Sequence, residues 1–227
     1  MNNLIETLQN KQLVWQGSAQ QTKRDGQSTG YSDLDKQLNG GLPSSGVIEI
    51  ISDVAIGELR LLLPSMIDKA DRLLVFISPP GSVNAHLFLS QGVDLSKVVV
   101  IYPDDQKNAL WSAEQCLKSG ACDSVVMWAY EALEIHQIKR LQLASEKGAS
   151  RHFIMRNQRC ESLSLPVDLS LSLSPTETGL NVQINKRKYG WPSEPFALNM
   201  QNNWPKLTCK ERINNIVFFP NVNAKAG

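Results

Sequence analysis

Apolar residues along this chain switch repeatedly between two periods. Val47 to Ile51 is almost continuously apolar, the pattern of a strand buried on both faces. Leu73 to Ser78, Lys97 to Tyr102, Asp123 to Ala129 and His152 to Met155 read the same way. Between them lie helix-like stretches at Ser82 to Gln91, Gln106 to Ser119 and Glu131 to Lys147. The last carries Ile135, Ile138 and Leu141 at helical spacing. Gly92, Gly120 and Gly148 stand where those helices stop. Strand alternating with helix predicts a parallel sheet covered on both faces.

The period then changes. Leu163 to Leu173 alternates leucine with Ser, Pro and Asp, the signature of a half-exposed strand. Leu180 to Lys186 alternates too, and Phe196 to Met200 suggests one more. These predict antiparallel additions at the edge of the parallel sheet. Upstream, residues 3–10 suggest a short amphipathic helix with Leu4, Ile5 and Leu8 on one side, followed by a polar linker. The organisation expected is an N-terminal helix and linker over 1–28, a core over 29–200 and a loosely attached basic tail over 201–227.

One junction has chemical interest. The strand Val47 to Ile51 runs into a loop, Ser52 to Ile56, and a helix opens near Gly57. A phosphate-binding loop occupies such a junction, with the pattern G-x-x-x-x-G-K-[ST]. Here the window reads Ser52-Asp53-Val54-Ala55-Ile56-Gly57-Glu58-Leu59. Glu58 replaces the lysine that neutralises phosphate, and Leu59 offers magnesium no oxygen. A like charge at ~4 Å costs roughly 4 kcal/mol at an effective dielectric of ~20. Two readings follow. Either this is a phosphate loop whose anion is replaced by its own carboxylates, or it is an ordinary strand–loop–helix with acidic caps.

Composition adds bounds. A chain of 227 residues, 42% hydrophobic, can bury a real core. The net charge of +1 is unevenly spread: Lys186 to Gly227 holds seven basic and two acidic residues, +5, leaving −4 on the rest. A basic C-terminal piece suits an acidic partner or a nucleic acid. Cys116, Cys122, Cys160 and Cys209 form no C-x-x-C pair and the three histidines are scattered, so no metal site is expected. The start lacks signal-peptide character and no run of ~20 apolar residues occurs, which predicts a cytoplasmic protein.

Several side chains stand out. Trp128, near the end of a predicted strand, either fills the core or anchors a partner. Lys186, Arg187 and Lys188 beside Trp191 suit an acidic surface or a single strand of nucleic acid, or form a solvated turn. Trp204, Phe218 and Phe219 either tuck back onto the fold or wait for a partner. Arg156 and Arg159 follow the fifth core strand; a surface role is the plainer reading. No G-x-S-x-G elbow or other triad context appears.

In order, Ser28-Thr29-Gly30, Leu34-Asp35, Gly40-Gly41-Leu42-Pro43, Gly46 and Glu49-Ile50 resemble the entry of the RecA-like ATPase core. Gln91-Gly92-Val93-Asp94 and Leu117 to Asp123 continue the likeness, which covers residues 28–156. Val14-Trp15-Gln16-Gly17, with Phe76 to Pro80 and Phe153 to Arg156, is similar to the ImuA/SulA-like proteins of bacteria. The resemblance implies a three-layer α/β fold of the P-loop NTPase type. By the same comparison Walker A is degenerate at Ser52, Gly57, Glu58 and Leu59. Met127-Trp128-Ala129 stands where the Walker B aspartate belongs, and Pro79-Pro80 near the water-activating glutamate. No catalysis, cofactor or metal is therefore expected. The implied role is an SOS-response accessory of translesion synthesis. The alternatives are a division inhibitor binding FtsZ, and an active ATPase with a rearranged site. A protein partner is expected, through Lys186, Arg187, Lys188, Trp191, Trp204, Phe218 and Phe219, with nucleic acid as a further contact of the basic region.

Overall fold

The apolar strand that organises the sequence is the second from one end of the parallel part of a single sheet. In a computed structural model, which describes Thr7 and residues 26–53, 56–67, 71–157, 164–188 and 190–205, this strand, β1, spans Gly46–Ile51. The other strands are β2 (Leu73–Ile77), β3 (Val98–Ile101), β4 (Cys122–Ala129), β5 (Arg151–Arg156), β6 (Leu169–Thr176), β7 (Gly179–Arg187) and β8 (Phe196–Asn199). They lie in the order β3-β2-β4-β5-β1-β6-β7-β8. The α-helices are α1 (Ser32–Leu38), α2 (Glu58–Ile67), α3 (Ala85–Ser90), α4 (Gln106–Lys118) and α5 (Ile135–Gly148).

Each strand sends alternate side chains to opposite faces. Ile48, Ile50, Phe76, Trp128 and Phe153 pack with Leu34 of α1, Leu61 and Leu62 of α2 and Phe88 of α3. Val47, Val75, Met127 and Ile154 pack with Ala113 of α4 and Ile138 and Leu141 of α5. Three layers result, and both faces of β4 and β5 are buried throughout. Their apolar runs follow from that placement.

The helices start where side chains satisfy free amides. Asn84 accepts from the His86 and Leu87 amides, so α3 begins three residues after the expected Ser82. Asp105 accepts from the Asn108 amide at the start of α4. The Gln137 side chain accepts from the Glu134 amide, which sets α5 four residues later than expected. Gly148, the last residue of α5, lies against the Leu117 carbonyl; a Cβ there would come within 1.8 Å of that oxygen.

The last three strands correct one expectation. β6 pairs with β1 in parallel, Ile48 opposite Leu169 and Ile51 opposite Ser172. Only β7 and β8 are antiparallel. Period-2 alternation reports that one face is buried, not which way the neighbour runs. Leu169, Leu171, Leu173, Leu180, Val182 and Ile184 all face the α1–α2 side. A second correction concerns the tail. Gln201–Pro205 does not hang loose: Trp204 is 4% exposed, and its indole donates to the Tyr31 hydroxyl at 2.8 Å. Of the expected helix 3–10 only Thr7, which is helical and exposed, is described, and the tail beyond Pro205 lies outside the described residues.

Two buried ion pairs cross the sheet. Arg151, fully buried on β5, pairs with Asp123 of β4 and donates to the Ser65 carbonyl on α2 at 3.1 Å. Arg156 pairs with Glu49 of β1, whose other oxygen accepts from Ser170 of β6 at 2.7 Å. Arg156 is thus a buried strand residue, not a surface arginine.

Candidate functional site

The junction after β1 is built as the strand–loop–helix pattern predicts. Gly57 turns the chain with φ 96°, and a Cβ there would meet the Arg60 guanidinium at 2.4 Å. Glu58 opens α2 and is buried. Its carboxylate accepts from the Gly57 amide at 3.0 Å. An anion therefore sits on the amide-rich, partly positive start of the helix, and it is the chain's own. Arg60 folds back and donates to the Ile56 carbonyl at 3.3 Å. Leu59 packs against the core. Asp53 is exposed.

Ser52 and Glu58 line a cleft with Trp128, Tyr130, Met155 and Arg156, of about 100 Å³. Trp128 is 7% exposed and lies 6.3 Å from the Phe76 ring, which in turn contacts Phe88 edge-on at 5.4 Å. The indole is a core side chain that forms one wall of the cleft.

These residues do not fit a magnesium-bound nucleoside triphosphate. The position for a phosphate-neutralising cation holds a carboxylate already bonded to the Gly57 amide. Leu59 beside Glu58 has no oxygen for a metal, and β4 ends in Met127, Trp128 and Ala129, without a carboxylate. Of the nearby guanidiniums, Arg156 is paired with Glu49 and Arg60 with a loop carbonyl. A cleft of about 100 Å³ is also well short of the ~300–1,000 Å³ of small-molecule sites.

Lys186, Arg187 and Lys188 are each engaged by the fold. Lys186 donates to the Leu165 carbonyl at 2.9 Å, Arg187 to the Gln37 carbonyl at 2.8 Å, and Lys188 lies 3.4 Å from Asp168. Trp191 is 57% exposed. Trp204 is buried against Tyr31, so its aromatic surface serves the fold and is not offered to a partner. Phe218, Phe219 and Arg159 fall outside the described residues.

Three features escaped the sequence reading. Glu49 was legible as an acid inside an apolar strand, which demands a partner, but nothing local points to Arg156. Cys116 and Cys122, six residues apart, meet across α4 and β4. A hydrogen bond from Cys116 holds the Cys122 thiol down to about 7, with Ser119 and Arg72 also lowering it. The third is a set of exposed aromatics and acids, Tyr102, Asp104, Tyr130 and Glu131, at the C-terminal ends of β3 and β4. That edge is where ligands meet open α/β sheets.

Among the described residues no group of three or more His, Cys, Asp or Glu could hold a metal, and no helix is long and apolar enough to cross a membrane.

The RecA N-terminal domain family matches residues 2–155. The chain is similar to protein RecA of Crocosphaera subtropica, 31% identical over 134 residues, which is 58% of this chain and 37% of that protein. It is similar to protein RecA of Rippkaea orientalis, 29% identical over the same shares. The match thus spans little more than a third of those relatives' length. Among solved structures, SulA from Pseudomonas aeruginosa aligns with a TM-score of 0.41 at 23% identity, covering 49% of this chain and 97% of that one.

Proposed function

Because the chain belongs to the RecA N-terminal domain family, we infer that it keeps the RecA-like scaffold while having given up nucleotide chemistry. It acts as a non-catalytic accessory protein of the bacterial SOS response, in the cytoplasm, supporting translesion DNA synthesis through protein–protein contacts. The observation that carries this reading is the Glu58 carboxylate seated on the Gly57 amide. A phosphate arriving there would have to displace a buried anion from its own chain. Trp128 supports it, since an indole cannot ligate the magnesium on which phosphoryl transfer depends.

Titration of the full chain with a fluorescent ATP analogue and magnesium tests the first half: no saturable binding is expected, and a micromolar dissociation constant with turnover would overturn it. Deletion of the gene tests the second half. Damage-induced mutation frequency should fall severalfold while growth without damage is unchanged. Filamentation on expression in undamaged cells, with mutagenesis unaffected, would instead make the chain a division inhibitor acting on FtsZ.

A further inference from the structure

The reading of this chain as a protein-binding module leaves open which surface binds, and the C-terminal edge of the parallel strands offers one. The small cleft beside Glu58 shares Trp128, Ala129 and Tyr130 with a recess of about 340 Å³ that Met127 also lines. Gln106 and Glu131 line both that recess and a groove of about 370 Å³ between α4 and α5. The three adjoin through these shared residues and together make up one trough, crossed where the Gln106 side chain bonds to the Glu131 amide and the Ala132 carbonyl. Its rim carries Tyr102, Tyr130 and Trp111, exposed by 63, 58 and 59%. Large aromatics at such exposure, gathered around one depression, mark an interaction site in preference to a solvated face.

The charge of the trough selects its occupant. Asp104, Asp105, Glu131, Glu114 and Glu134 line it, against Lys107 and Arg140. Arg140 is committed to Glu114. Asp105 caps α4 with one oxygen. The carboxylates of Asp104 and Glu131 have no ion-pair partner among the described residues. Phosphate would be repelled here, which excludes a nucleic-acid backbone. Lysine and arginine side chains fit on both counts: their heads pair with the carboxylates, and they stack on tyrosine and tryptophan faces.

We propose that this trough is the docking site for an extended basic segment of a protein partner, with Tyr102, Tyr130 and Trp111 as stacking platforms and Asp104, Asp105 and Glu131 as the charge match. Tyr130 is held in place by its hydroxyl, which donates to the Ser78 carbonyl at 2.9 Å. Trp111 and Glu114 lie one turn apart on the same face of α4, so a side chain that stacks on one reaches the other.

The test uses the full chain and synthetic twelve-residue peptides of alternating Lys/Arg and Ser, read by amide chemical shifts at ~0.15 M salt, where long-range charge attraction is screened. Shifts should concentrate at Tyr102–Gln106, Trp111 and Tyr130–Glu134. D104K/E131K should weaken binding at least tenfold, and Tyr102→Ala should weaken it severalfold with net charge unaltered. E177K/E194K, which reverses two charges on the far side of the sheet, should leave it unchanged. Equal losses in both charge-reversed variants would reduce the effect to net charge and overturn the proposal. Shifts confined to other surfaces, or stronger binding of an all-Asp/Ser peptide, would overturn it as well. ATP binding at Gly57 would defeat the functional reading above without altering these outcomes.

Discussion

His152 is the second residue of β5, opposite Val47 of β1 and Val125 of β4, with neither ring nitrogen bonded. Burial removes the solvation that an imidazolium needs, and pushes its pKa from 6.5 down to about 3. The folded-state value lies below the unfolded one, so the fold is favoured above pH 6.5 and loses stability as pH falls from there towards about 3. The slope is ~1.4 kcal/mol per pH unit for one proton, or about 2 kcal/mol between pH 7 and 5. Urea melts at those two pH values should show that loss, and His152→Leu should abolish it, since carboxylates scarcely titrate in that window. Tyr31 tells a related story: burial raises its hydroxyl to about 12, so it remains protonated, and a hydrogen-bond donor, through neutral and mildly alkaline pH.

At the scale of the element, the junction between β1 and α2 keeps a glycine turn at Gly57 and carries a carboxylate beside it. Restoring the motif at two positions should not restore the activity. E58K/L59T places lysine and threonine where a phosphate loop has them, but β4 still ends without a carboxylate, Trp128 still walls the cleft, and the cleft remains about 100 Å³. The variant should show no saturable nucleotide binding up to ~1 mM and should lose about 1 kcal/mol, because a cation now meets the positive start of α2. Micromolar binding by this double variant would show that the cleft opens more readily than its packing implies. Most element positions were legible, since their apolar periods are dictated by the layers that cover them. Errors fell at helix starts, where Asn84 and the Glu134–Gln137 pair, rather than the apolar pattern, decide the first turn, and at β6, which begins at Leu169 and not at Leu163.

At the scale of the molecule, residues 173 positions apart close one side of the core. Pro64 within α2 has no amide hydrogen, so the Arg60 carbonyl lacks its helical partner. The Tyr31 hydroxyl donates to it at 2.7 Å and the Trp204 indole at 3.2 Å. The C-terminal segment is therefore fastened to a defect in a helix laid down far earlier. Removing Trp204 leaves a cavity and takes one donor from both the Tyr31 hydroxyl and the Arg60 carbonyl. Trp204→Ala, or truncation before Gln201, should cost at least ~3 kcal/mol and lower Tm by on the order of 10 °C. Thermal melts monitored by circular dichroism measure this; Trp191→Ala, at an exposed position, should shift Tm far less. A truncation that melts with the intact chain would refute the fastening role.

What the sequence determined by itself was everything carried by local period and local chemistry. The alternation of buried strands and amphipathic helices, the turn at Gly57, and the carboxylate and leucine where lysine and threonine would be required are all readable within a few residues. What only the tertiary structure decided was every pairing across long separations. These include the parallel docking of β6 on β1, Glu49 with Arg156, Asp123 with Arg151, Trp204 on Tyr31, and the gathering of Tyr102, Trp111 and Tyr130 around one trough. The reason is physical. A period records how much of a side chain is covered, while its partner is chosen by packing and charge among groups that the chain brings together only when folded.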